Sequence, residues 1–130
     1  MGAWGYGNLE NDTVLDWIAE LIETDDMSLI SESIEFVVED DDIDADVASI
    51  AIGAIEVLAA LQDRRGNEEY DEELNDWINE HKGKGKNLLP RAQKALQKIV
   101  LDSELKDLWE ESESFEEWLK TIKELESRLN

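Results

Sequence analysis

The stretch VASIAIGAIEVLAAL, from Val47 to Leu61, constrains the fold more than any other part of the chain. Its polar positions are Ser49 and Glu56, and Asp63 follows at the same spacing of seven. On a helix these three fall on one narrow line, with apolar residues on all other sides. A helix of that kind has to be wrapped by other helices to hide its surface. The run is too short to cross a bilayer and is interrupted by Ser49 and Glu56. It predicts an all-α fold around a central apolar helix over about 46–62.

The rest of the chain reads as helices that could do the wrapping. Asn11 or Asp12 can cap a first helix whose face is Val14, Trp17, Ile18, Leu21 and Ile22. A second runs from about Ser28 to Val38 on Met27, Ile30, Ile34, Val37 and Val38, although its IEFVV end favours strand. Asp44 or Asp46 is a natural cap for the central helix. Leu74, Trp77, Ile78 and His81 share the face of a fourth helix that Gly83 is placed to end. KGKGK reads as a flexible loop, and Pro90 sits where a fifth helix begins. A short helix follows Asp102. A last one starts at Ser114 and Glu117, which have capping-box spacing, with Glu116–Lys120 and Glu124–Arg128 as i,i+4 pairs. The expectation is one domain over 1–130, a bundle of six or seven helices, with 1–10 as an N-terminal arm packed on it. DWIAEL and DWINEH, at 16–21 and 76–81, leave room for helical-hairpin repeats.

Charge is distributed unevenly. The net charge is −22, and residues 1–63 hold 17 acids and no base. Six acids fall within the eight residues from Glu39 to Asp46. Capping uses one or two of them, and the rest repel one another at a cost in stability. The first half is therefore unsuited to nucleic acid or anionic lipid and suited to a cationic partner, a divalent metal, or solubility alone. The chain has no cysteine, which fits a cytoplasmic setting, and its start lacks the basic and apolar regions of a signal peptide. Met1-Gly2 fails as an acylation signal because position 6 is Tyr.

Tests for chemistry give little. A calcium loop counted from Asp40 places Ala45 sixth and Ala51 twelfth, and counted from Asp42 it places Val47 and Gly53 there, so neither register works. His81 is the one histidine, and without cysteine a closed zinc site would need three or more carboxylates. Glu56, set among apolar neighbours, either faces a basic or hydroxyl group or solvent, or is a perturbed acid in a cleft. The basic island at Lys82, Lys84, Lys86, Arg91, Lys94 and Lys98 reads as counter-charge for the acidic half or as a solvated loop, and it lacks the phosphate-loop pattern. Trp17 reads as core, and Trp4, among glycines, as a plug between helices.

The opening MGAWGYGNLENDTVLDW resembles that of a bacterial family of small proteins carrying a domain of unknown function. Met1 to Gly5, Gly7, Leu9, Asn11, Asp12, Asp16 and Trp17 carry the likeness, together with the alanine-rich helix around Glu56 and SELKDLWEE. The resemblance implies a helical fold and a bacterial source. It transfers no catalytic residue.

The functional expectation is a small acidic interaction protein: an immunity or antitoxin-type inhibitor of a basic, nuclease-like toxin. Bacterial immunity proteins are similar in size and charge. Glu32, Glu35, Glu39, Asp40, Asp41, Asp42, Asp44 and Asp46 would form the partner-binding surface. Trp4, Asn11, Asp12, Trp17 and Glu56 are assigned structural roles. No catalytic residue, cofactor or metal is expected. The alternative is a small-ligand binder or enzyme using Glu56, His81 or the Lys82–Lys86 loop, and a third reading is a scaffold adapted for solubility.

Overall fold

The computed structural model describes residues 12–40, 42–64, 70 and 72–129. Among these, α1 spans Asp12–Leu21, α2 Ser28–Glu39, α3 Ala45–Leu61, α4 Glu72–Glu80, α5 Leu89–Leu101, α6 Glu104–Glu110 and α7 Phe115–Arg128. A 3-10 turn at Lys86–Leu88 leads into α5, and no strand occurs among the described residues. The arm at 1–10, with Trp4, and the cap candidate Asn11 lie outside them.

The central helix is where its pattern put it. α3 touches each of the other six α-helices, and every residue from Ala51 to Leu61 is buried. Asp44 is its N-cap: the backbone is extended there and the carboxylate accepts from the Val47 N–H at 2.8 Å. Asp46, the other candidate, lies in the first turn. At the far end Asp63 takes φ 65°, its N–H donates to the Ala60 carbonyl, and the Arg64 N–H reaches back to that of Ala59. This left-handed cap satisfies the last carbonyls and carries Asp63 off the helix, so the expected polar line stops at Glu56. Ser49 and Glu56 face inward.

The surrounding helices bury the expected stripes: Val14, Trp17, Ile18 and Leu21 on α1, Ile30, Ile34 and Val37 on α2, and Trp118, Ile122 and Leu125 on α7. The β-favouring end of α2 is helical. Lys98 holds it there, donating to the Val38 and Asp40 carbonyls at 2.9 and 2.8 Å, where a cation complements the helix dipole. KGKGK is a folded turn rather than a free loop: the Gly83 N–H donates to the Leu61 carbonyl at 2.7 Å. Gly85 has φ 84°, and a Cβ there would stand 2.5 Å from Met27 Cε. α4 has already ended at Glu80, before Gly83.

The last two helix starts show how their caps are built. The short helix expected after Asp102 is α6, and Ser103 caps it, accepting from the Lys106 N–H at 3.0 Å and donating to the Ile99 carbonyl at 2.8 Å. Ser103→Ala should therefore cost about 1 kcal/mol in a urea titration, whereas Asp102→Ala should stay within about 0.5 kcal/mol. At α7 the Ser114 backbone lies near φ −100°, ψ 15°, outside the extended region a capping side chain requires, and no capping-box hydrogen bond forms. Glu124–Arg128 is an ion pair, while Glu116–Lys120 is not.

Candidate functional site

α2, the 40–44 connection and the start of α3 carry the described members of the expected acidic surface. Glu32 and Glu39 are exposed on α2, Asp42 is exposed in the connection, and Asp44 and Asp46 are exposed at the start of α3. The fold uses some of this charge. Asp40 accepts from the Asp42 N–H at 3.1 Å, Asp44 caps α3, and Thr13 donates to Asp46 across 3.5 Å. Glu35, half-buried, pairs with Arg91 of α5. Asp41 lies outside the described residues. Among the described residues the side chains of Glu32, Glu39 and Asp42 make no hydrogen bond or ion pair, and Asp40, Asp44 and Asp46 have no Lys or Arg partner. Among the described residues, the basic residues of the second half thus pair with one carboxylate of the surface, that of Glu35, and Lys98 donates to backbone oxygens.

The surface is also fixed to the core. The Glu104 carboxylate accepts from the Ala45 N–H at 2.8 Å, and the Glu104 N–H donates to the Ile43 carbonyl at 2.9 Å. Ile43 is buried beneath the connection. Contacts from α5 and α6 thus tie the described backbone on either side of position 41 to the rest of the fold.

An apolar groove opens beside these acids. Trp17 of α1, Leu29, Ser33 and Phe36 of α2, and Val47 and Ile50 of α3 line it, with Glu32 at its edge. Phe36 is 57% exposed. On its other side lies a second hollow lined by Glu39 and Asp40. Sequence reasoning missed this feature. Its signal was Leu29 and Phe36, seven apart on the otherwise polar side of α2, a second apolar line beside the core stripe.

Glu56 has a structural answer. It is 1% exposed and receives Arg128 in a two-pronged pair, Nη1 to Oε2 at 2.7 Å and Nη2 to Oε1 at 2.9 Å. The Tyr70 hydroxyl donates to Oε2 at 2.9 Å. Arg128 also grips Glu124 through Nε and Nη2, at 2.7 and 2.9 Å, and gives its remaining N–H to the Arg64 carbonyl at 3.0 Å. All five guanidinium N–H groups are thereby used. Burial pulls the Arg128 proton affinity down, but the hydrogen bonds and charges of Glu56 and Glu124 outweigh it and leave the pKa raised.

His81 and, in the lysine turn, Lys82 also make contacts within the fold, while Lys84 and Lys86 are exposed. The buried imidazole stacks on Trp77 with ring centres 4.0 Å apart, and its Nδ1 and Nε2 lie 2.7 and 3.1 Å from the Trp77 and Asp25 carbonyls. Trp77 donates to the Thr24 carbonyl at 2.7 Å, so both side chains pin the α1–α2 turn. Lys82 pairs with Asp63 at 2.9 Å and holds that exposed carboxyl below its usual range. Trp17 is buried and donates to Ser33 Oγ at 3.1 Å, and Asp12 is the first residue of α1. Among the described residues no cluster of His, Asp and Glu is arranged to hold a metal, and no helix is long and apolar enough to cross a membrane.

Compared with known proteins, residues 2–121 match the family model described as Domain of unknown function (DUF4259). Neither the curated proteins nor the solved structures give a match.

Proposed function

The chain belongs to the family of the domain of unknown function DUF4259, and from that premise we propose that it is a small acidic interaction protein, an immunity- or antitoxin-type inhibitor that neutralises a basic, nuclease-like toxin in the cytoplasm. The observation that carries this reading is the open charge of the α2–α3 surface. Glu32, Glu39 and Asp42 stand exposed without a cation among the described residues, although the second half has 12 lysines and arginines to offer. A nuclease holds phosphates in a cationic groove. A carboxylate-rich surface fits that groove electrostatically and accelerates encounter with it.

The reading of the protein as an enzyme or small-ligand binder has less in its favour. Glu56 and His81 spend their polar atoms on the fold, and Lys82 is paired with Asp63.

The test is titration calorimetry against a purified basic nuclease toxin domain, sought first among the reading frames beside this one. Binding should weaken at least about tenfold between roughly 50 mM and 500 mM salt. Changing Asp40, Asp41 and Asp42 together to Asn should weaken it further and slow association. A toxin that binds the Asn variant as tightly as the parent at every salt concentration refutes the acidic-surface reading.

A further inference from the structure

We infer that the apolar groove between α1, α2 and α3, with Phe36 at its lip, is the anchoring subsite of the acidic surface, and that its occupant is an amphipathic segment of the partner: an apolar side chain flanked by lysines or arginines. This rests on the interaction reading above and supplies the chemistry that reading still lacks, since charge alone gives speed and register more than residence time.

The groove has the marks of an anchor site. Fully burying a phenylalanine gains roughly 1.5–3 kcal/mol, yet Phe36 stays 57% exposed while its neighbours Ile34 and Val37 enter the core. Leu29, Val47 and Ile50 are half-buried around it. The polar atoms at the floor are satisfied internally: Trp17 donates to Ser33 Oγ, which donates to the Leu29 carbonyl at 2.8 Å. An apolar side chain entering here strands no hydrogen-bonding group.

Charge decides what enters. Glu32 edges the groove, and Glu39 and Asp40 line the hollow across Phe36. Neither lining contains a lysine or arginine. A second copy of this chain would press Glu32 and Glu39 against their own mates, with a net charge of −22 on each side. A leucine or aromatic with basic neighbours fills the groove and neutralises its rim together. Such a buried apolar anchor inside a charged rim is how a few residues come to carry most of an interface's affinity.

The experiment uses the full chain and two synthetic helical peptides of one amphipathic pattern, one of leucine and lysine and one of leucine and glutamate. Binding is measured by calorimetry and stopped-flow at about 150 mM salt, with circular dichroism to confirm that each variant is folded. The leucine–lysine peptide should bind and the leucine–glutamate peptide should not. Phe36→Ser should weaken binding about 30-fold or more. Leu101→Ser, which removes an apolar side chain 76% exposed and outside the groove, should leave binding unchanged. Glu32→Gln with Glu39→Gln should slow association and flatten the salt dependence.

If Phe36→Ser binds like the parent while the Gln variant weakens, the groove is not the anchor and the acidic-surface reading stands. If neither weakens binding, or both peptides bind alike, both readings fall. A concentration-dependent dimer abolished by Phe36→Ser gives the groove to a second copy and overturns the inference. Tighter peptide binding after removal of residues 1–10 gives it to the chain's own first segment and overturns the inference equally.

Discussion

Arg128→Met is expected to destabilise the fold by about 3–5 kcal/mol, far more than any ordinary surface substitution. The reason is what it leaves behind. Glu56 sits in the middle of α3 at 1% exposure, and Arg128 meets both of its oxygens. Without the guanidinium the carboxylate stays in the core, keeps the Tyr70 hydroxyl bond, and loses the cation that met both of its oxygens. A buried pair adds little over an apolar pair of the same volume, but half a pair is costly. Glu56→Leu combined with Arg128→Met should therefore recover most of the loss, giving a strongly favourable coupling in the double-mutant cycle with the two single variants. Glu124, 53% exposed and gripping the same guanidinium, is the control: Glu124→Ala should cost no more than about 1 kcal/mol. Urea titrations of these variants decide the matter. An Arg128→Met protein with the parent's midpoint would mean that Glu56 finds water or another partner at no cost, and the bond would not be the latch between α7 and α3.

That latch shows where the sequence stopped being informative. The spacing of Ser49 and Glu56 on an apolar helix was enough to predict a buried axis, and local chemistry was enough to offer Asp44 as its cap. Those signals operate within a few residues. The partner of Glu56 lies 72 residues away, and no periodicity connects the two. Asp63 fitted the same seven-residue line, yet a left-handed cap ended the helix before reaching it. Ser114 and Glu117 had capping-box spacing, but the backbone at Ser114 was set by the chain entering α7 rather than by the side chain. The acids of the candidate site were legible as a run. Their sorting was not: Glu35 finds Arg91 from another helix, whereas Glu32 and Glu39 are left open. The groove beside them draws walls from three helices, so it exists in no single segment. Only its lip left a trace, an aromatic at position 36 on the wrong side of α2 for the core.

The width of that groove depends on how closely α1 approaches α3, and Gly53 sets the distance. A Cβ at Gly53 would lie 2.5 Å from Val14 Cγ1, a contact that real side chains do not make. Valine is stiff at χ1 and cannot swing aside, and Val14 is itself buried. In Gly53→Ala two effects oppose each other. Alanine is better than glycine inside a helix by up to about 1 kcal/mol. Overpacking a tight core costs about 1–3 kcal/mol. The second should win, for a net loss of about 1–2 kcal/mol in the urea midpoint. Val14→Ala alone should also destabilise, by leaving a cavity. The double variant should be more stable than the sum of the two by at least about 1 kcal/mol, because the new methyl group occupies the space the valine gave up. A Gly53→Ala protein more stable than its parent would show that α1 can retreat freely and that the close approach does not constrain it. If instead the contact is rigid, the strain shifts Trp17 on α1 relative to Val47 and Ile50 on α3, and all three line the groove. Binding of the leucine–lysine peptide should then weaken in Gly53→Ala and return in the double variant, tying the packing of two buried residues to the shape of an exposed one.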